Sequence, residues 1–243
     1  VCSSDLYCAT EVQSLRGYSV ESDAFPGYKS GITANVERVA YGIVLAIGPF
    51  NYPINLVASK IAPGLLMGNA VVVKPPTQGS ISGLFLTQVF IKAGVPEGII
   101  SCITGEGREI GDYLVMHPDI SMIAFTGSTG VGQSLSKKAG MKTLLLECGG
   151  NNPVIVLPDA DLQISAKEIV KGGFSYAGQR CTGIKYVLGT QETISMLLPK
   201  VIQEMKESIS MGNPSNEQTK LVGPVISTKS AEEIESIINE AVQ

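Results

Sequence analysis

"VAYGIVLAIGPFNYPINLVASKIAPGLLMGNAVVVKP" runs from Val39 to Pro75, and its reading decides the fold. "VAYGIVLAIGP" is apolar and rich in β-branched residues, as a buried strand requires. "INLVASKIAPGLLMG" has a helical period and is expected to be interrupted near Pro63. "AVVVKP" is a second buried strand, ended by Pro75 and Pro76. Strand, helix and strand in this order form a parallel crossover unit. The pattern continues outward: helix "SISGLFLTQVFIKAG" closed by Gly94, strand "GIISCITG", helix "REIGDYLVMHP", strand "ISMIAFTGS", helix "TGVGQSLSKKAG" and strand "KTLLLECGG". A parallel sheet with helices on both faces follows, its strands apolar throughout because both faces are covered.

Beyond Gly150 the alternation resumes with strand "NPVIVLP", helix "DADLQISAKEIVKGGFSYAG", strand "IKYVLG" and helix "ETISMLLPKVIQEMKES". "SAEEIESIINEAVQ" reads as an amphipathic helix with Ser230 as its N-cap. The expected division is residues 1–148 for a ligand-binding domain and 149–243 for the first part of a second α/β domain. "VCSSDL" at 1–6 carries no pattern. Back-translated, it reads like the tail of a sequencing adapter, so the chain's own part is expected to begin near Tyr7 and to be a piece of a longer protein.

Composition narrows the function. The 243 residues are 44% hydrophobic and 16% charged, with a net charge of -4. That balance excludes disorder and gives no basic field for nucleic acid. No apolar run suits a bilayer, and no secretory pattern opens the chain. The five cysteines are widely spaced, no CxxC occurs, and His117 is the single histidine. A disulfide framework and a zinc site are therefore not expected. Free thiols point to a reducing compartment, the cytoplasm.

The chemistry-bearing residues fall at the carboxyl ends of the strands, where open parallel sheets bind ligands. "GPFNYP", "KPPT", "TGEG", "FTGSTG" and "LECGG" occupy these places. The stretch Gly127-Ser128-Thr129-Gly130 approaches a dinucleotide fingerprint without matching it. It is a phosphate-binding helix start or an ordinary turn. Glu147 ends a buried strand, where a raised pKa would suit a general base, unless it turns to solvent. Lys74 is either a snorkelling lysine or a partner for phosphate and ribose. Asn51 is a turn residue or an amide donor to an oxyanion. Cys181, in "FSYAGQRCTGIK", is a filler, half of a disulfide, a metal ligand or a nucleophile.

Taken in order, "GPFNYP", "VVKPP", "FTGST", "LECGG" and "GQRCTG" resemble the aldehyde dehydrogenase superfamily from about residue 36 to the end of the chain. "KPPTQGS", "IGDYL" and "GQRCTGIK" are similar to its non-phosphorylating glyceraldehyde-3-phosphate dehydrogenase branch. The resemblance implies a Rossmann-like α/β cofactor domain followed by the start of an α/β catalytic domain. It makes Cys181 the nucleophile, Asn51 and the Cys181 backbone N–H the oxyanion donors, and Glu147 the base that activates water. It places Gly48, Pro49 and Phe50 along the cofactor crevice and Lys74 at the adenine ribose. Thr77 stands where NAD-preferring relatives carry a glutamate, so NADP is expected over NAD, with NAD still usable. Asp112, Gly127, Ser128 and Gly130 match further cofactor contacts. Asn51, Tyr52, Arg180 and Thr182 match substrate contacts.

The implied reaction is oxidation of an aldehyde, glyceraldehyde 3-phosphate in the first instance, to its acid. A homo-oligomer, dimer or tetramer, is implied as well. Departures are Cys148 and Asn151, where the family reads leucine and lysine. The family chain is also longer, and a downstream glutamate, an arginine and an oligomerisation strand find no match here, so the portion at hand need not fold stably or turn over alone. The alternatives are another semialdehyde of the same superfamily, or a non-catalytic protein on the same fold.

Overall fold

The computed structural model describes residues 3–11, 15, 17–27, 31–213, 215 and 221–242. The chain divides into two compact units, Val1–Glu147 and Cys148–Gln243.

The first unit is built on the expected sheet. Strands β3 (Ile43–Ile47), β4 (Ala70–Lys74), β5 (Ile100–Cys102), β6 (Ile120–Thr126) and β7 (Thr143–Glu147) lie in the order β5-β4-β3-β6-β7, every pairing parallel. The chain moves outward from β3 to β4 and β5, then returns to place β6 on the other side of β3. That reversal puts the topological switch point beside β3, where open sheets take their ligands. Register aligns the strand ends: Ile47 pairs with Lys74 and with Phe125, and Thr126 with Glu147.

Helices α2 (Asn55–Leu66), α3 (Ser80–Lys92), α4 (Gly107–Met116) and α5 (Thr129–Lys138) make the crossovers. Ala46, Val57, Ile61, Val71, Val73 and Ile100 form a common core between strands and helices, all 5% exposed or less. Burying one such aliphatic side chain stabilises the fold by about 1.5–3 kcal/mol. The interruption expected at Pro63 does not occur. The proline sits in the last turn of α2, where only one ladder bond is forgone and the helix closes at Leu66.

Three elements of this unit carried no sequence signal. Helix α1 (Ser3–Glu11) takes in part of the stretch 1–6, of which residues 1 and 2 lie outside the described set. An antiparallel pair joins β1 (Tyr18–Glu21) to β2 (Thr33–Val36).

In the second unit β8 (Asn152–Ile155) and β9 (Ile184–Leu188) pair in parallel. Helices α6 (Leu162–Phe174) and α7 (Gln191–Ser208) pack on them through Val156, Ala166, Ile169 and Leu197. Asp161 caps α6, its carboxylate accepting from the N–H groups of Gln163 and Ile164 at 2.8 and 3.0 Å. Helix α6 ends at Phe174, four residues short of the expected Gly178, because Ser175–Gly178 turns out of helical backbone. A short parallel pair joins β10 (Ser210–Met211) to β11 (Leu221–Val222). Helix α8 (Thr228–Val242) starts earlier than expected. Its N-cap is Ser227, whose hydroxyl accepts from the Ser230 N–H at 3.1 Å, so Ser230 lies inside the helix.

Candidate active site

The strand-end loops of the first unit come close because glycine lets them. The Gly48 N–H donates to the Lys74 carbonyl at 3.1 Å. A Cβ at Gly48 would lie 2.2 Å from Val57 Cγ2, so no other residue fits. Across the switch point the Gly127 N–H donates to the Glu147 carbonyl at 3.1 Å. A Cβ there would lie 2.5 Å from the Phe125 ring. Pro49, Phe50, Asn51 and Tyr52 continue from Gly48 into α2. Ser128 is the N-cap of α5, accepting from the Val131 N–H at 3.4 Å, and a Cβ at Gly130 in the first turn would meet open space.

Lys74 does not snorkel. It is 7% exposed, and among the described residues its ammonium has one hydrogen-bond partner, the Pro75 carbonyl at 3.1 Å. Burial pushes its pKa below the ordinary lysine value. Thr77, neutral and exposed, follows in the next turn. A buried cation short of acceptors, beside a residue without charge, suits a ligand that brings anionic oxygen. The residues therefore fit a phosphorylated dinucleotide. Asp112 lies on α4, where Lys138 of α5 grips both its oxygens at 2.7 and 2.6 Å. Its carboxylate already has a partner in this fold.

Glu147 ends β7 half-exposed, and its Oε2 takes two donors. Lys60 Nζ of α2 reaches it at 2.5 Å, and the Thr126 hydroxyl donates to the same oxygen. The raised pKa expected at a buried strand end is not found. Burial does push the carboxyl up, but the Lys60 hydrogen bond, the Thr126 hydrogen bond and the Lys60 charge together outweigh it and hold it below its ordinary value. Sequence reading missed Lys60 and Thr126. A signal existed for Lys60: it shares the buried stripe of α2 with Val57 and Ile61, and its own side chain is 2% exposed. A lysine on such a stripe needs a partner.

In the second unit Cys181 follows a strained turn. Tyr176, Ala177 and Gly178 all have left-handed backbone, with φ of 56°, 55° and 72°. Each non-glycine residue so placed costs about 1–2 kcal/mol. Asn152 Nδ2 donates to the Cys181 carbonyl at 2.6 Å and to the Gly183 carbonyl at 2.9 Å. Arg180 donates to the Ser175 hydroxyl at 2.9 Å and to the Thr182 hydroxyl at 3.4 Å. Its Nε is buried without a hydrogen-bond partner.

Cys181 itself is exposed and unbridged. A filler would be buried, so that reading fails. Among the described residues no three His, Cys, Asp or Glu side chains stand close enough to hold a metal. The structure thus gathers Glu147, Lys60 and Thr126 in one unit and Cys181, Arg180, Thr182 and Asn152 in the other.

A parallel sheet whose strand-end loops meet through glycines beside the switch point, and an exposed cysteine just after a strained turn, are what this chain brings to comparison with known proteins. The family can be stated outright. The sequence pattern of the Aldehyde dehydrogenase family matches residues 5–243, and the chain belongs to that family. It is 46% identical over 245 residues to the NADP-dependent glyceraldehyde-3-phosphate dehydrogenase of Pisum sativum, covering 99% of this chain and 49% of that one. The crystal structure of NADP-dependent glyceraldehyde-3-phosphate dehydrogenase from Bacillus halodurans C-125 complexed with NADP superposes with a TM-score of 0.91 at 47% identity, over 97% of this chain and 49% of that chain. Lactaldehyde dehydrogenase from Escherichia coli superposes with a TM-score of 0.90 at 28% identity, over 98% of this chain and 49% of that one. The chain spans about half the length of the curated relatives it matches. Among the described residues no helix is long and apolar enough to cross a membrane.

Proposed function

We propose that this chain supplies the nucleophile, the oxyanion donors, the base and the cofactor cradle of an NADP-dependent aldehyde dehydrogenase. Its substrate is glyceraldehyde 3-phosphate, oxidised to 3-phosphoglycerate without inorganic phosphate. The observation that carries the reading is the exposed Cys181 thiol, which follows a strained turn and whose carbonyl Asn152 holds. The relatives' names and the buried Lys74 beside neutral Thr77 support NADP, with NAD a weaker alternative.

The chain's residues divide the work. Cys181 Sγ bonds to the aldehyde carbon, giving a thiohemiacetal. The Asn51 amide and the Cys181 N–H hold the oxyanion, and one such donor lowers a barrier by about 3–4 kcal/mol. The cofactor, when bound, supplies the hydride acceptor. Oxidation leaves a thioester on Cys181. Among the described residues both partners of Glu147 occupy Oε2, which leaves Oε1 to take a proton from water. That water attacks the thioester carbonyl, the C–S bond breaks, and the acid leaves with the thiol restored. The lowered pKa keeps Glu147 ionised through the neutral range, ready to accept, at some cost in basicity.

Arg180 and Tyr52 are the phosphate contacts in this reading, and Thr182, which accepts from Arg180, is a further substrate contact. The Arg180 guanidinium keeps donors beyond the two it spends on Ser175 and Thr182. Lys74, Thr77, Gly48, Pro49, Phe50, Gly127, Ser128 and Gly130 line the cofactor crevice, and Asp112 would have to leave Lys138 to join them. The working protein is a homo-oligomer, dimer or tetramer, in the cytoplasm, where unpaired cysteines persist.

The test is to express the protein that carries this chain and follow NADPH formation from glyceraldehyde 3-phosphate with no inorganic phosphate. A panel of unphosphorylated aldehydes, lactaldehyde included, runs beside it. Selective turnover of the phosphorylated substrate supports the full reading. Turnover of other aldehydes alone keeps the mechanism and removes the substrate. No turnover from folded, NADP-binding protein removes the enzyme.

A further inference from the structure

The strain ahead of Cys181 has to be held by something, and one side chain bonds to both the turn and a distant segment. Gln179 follows the left-handed residues Tyr176, Ala177 and Gly178. Its backbone N–H donates to the Tyr176 carbonyl at 3.1 Å. Its side-chain Nε2 donates to the same carbonyl at 3.0 Å. Its Oε1 accepts from the Ile226 N–H at 2.8 Å, a partner 47 residues along the chain and next to the Ser227 cap of α8. One neutral amide thus closes the turn on itself and ties it to a distant segment of the same unit. Lys185 adds a bond from β9 to the Gly178 carbonyl at 2.9 Å. On the far side of the thiol, Asn152 fixes the carbonyl of Cys181 itself.

We propose that Gln179 is a positioning residue for the nucleophile. By holding the left-handed turn it sets the direction of the Cys181 thiol and of the Cys181 backbone N–H. This rests on the aldehyde dehydrogenase reading for its consequence in turnover, though not for its geometry. The amide serves both ends at any pH, because it donates at Nε2 and accepts at Oε1. A carboxylate keeps the acceptor for Ile226 and sets an oxygen against the Tyr176 carbonyl. A protonated carboxyl recovers both functions. Methionine keeps the length and removes both.

Two variants test it, each rate being taken per folded protein. Gln179→Met is expected to lower kcat by about 10- to 100-fold, the scale of a misplaced reacting group, while the KM for NADP moves less than about twofold. Gln179→Glu is expected to be impaired at about pH 8 and to recover against the parent only as the pH falls to about 4.3, the ordinary glutamate value, where the carboxyl takes its proton. A part that only shores up the fold would not give that acid rescue. Backbone amide exchange across residues 179–183 is measured alongside and is expected to quicken in Gln179→Met. Parental kcat with parental exchange in Gln179→Met overturns the proposal, as does a Gln179→Glu deficit that is flat with pH. If the parent protein turns over no aldehyde, the proposed function falls separately. Exchange at 179–183 then decides alone: quickened supports positioning, unchanged overturns it.

Discussion

The two units hold their reactive groups by opposite means. In the first, Glu147 and Lys74 stand on the last residues of parallel strands, and burial and charge fix them. Lys60 is almost wholly enclosed and its ion pair with Glu147 crosses from helix to strand. In the second, Cys181 stands on an exposed turn outside the helices and strands, and the neutral amides of Gln179 and Asn152, helped by the Lys185 ammonium, fix the backbone on either side of its thiol. The difference teaches where each should be fragile. An electrostatic arrangement fails with charge and pH. A strained turn fails with the loss of a neutral amide or the relief of its backbone.

The largest break comes from the ion pair. Glu147→Gln leaves Lys60 enclosed without a counter-charge, a change that costs about 3–5 kcal/mol when both partners are buried and less here because Glu147 is half-exposed. Chemical denaturation should show the loss, and turnover should stall after a first burst of NADPH. The converse variant, Lys60→Met, should raise the Glu147 pKa and move the acid limb of kcat to higher pH. The sign for stability follows from the depressed carboxyl. Its contribution is present above the unfolded-state pKa and is lost as pH falls through the folded one.

A smaller effect is expected at Lys74. Because burial lowers its pKa, its ammonium gives up its proton earlier than an ordinary lysine as pH rises. NADP affinity should weaken across that window, while NAD affinity changes less. Lys74→Met should reduce the preference for NADP over NAD by about tenfold, read by titration with each cofactor. The smallest effect concerns the turn. Ala177→Gly relieves left-handed strain of about 1–2 kcal/mol and gives back part of it as unfolded-chain entropy. Thermal melting should rise slightly, and the same change at an unstrained alanine, Ala166 inside α6, should lower it.

The sheet was legible because continuous apolar runs such as "AVVVK" and "IVLAI" admit few other structures, and the glycines and prolines at their ends mark the loops. The strand-end residues followed from the same logic. What stayed hidden depended on distant partners or on unusual backbone. Nothing local to Glu147 foretells a lysine 87 residues away bonded to it, so its pKa was expected to move the wrong way. Tyr176 and Ala177 carry no preference for left-handed backbone, so α6 was drawn through them. Ser227 and Ser230 both suit an N-cap, and the structure chose the earlier. The pair β1 and β2 is short and exposed, with little apolar alternation to reveal it.

The central claim is that Cys181 carries the acyl group. The most direct measurement is mass spectrometry of the Glu147→Gln protein, quenched in acid after exposure to glyceraldehyde 3-phosphate and NADP. The account predicts a phosphoglyceroyl adduct on the peptide containing Cys181, absent when Cys181→Ser is added. Continued aldehyde oxidation by the Cys181→Ser protein, or an adduct on another cysteine, would contradict it.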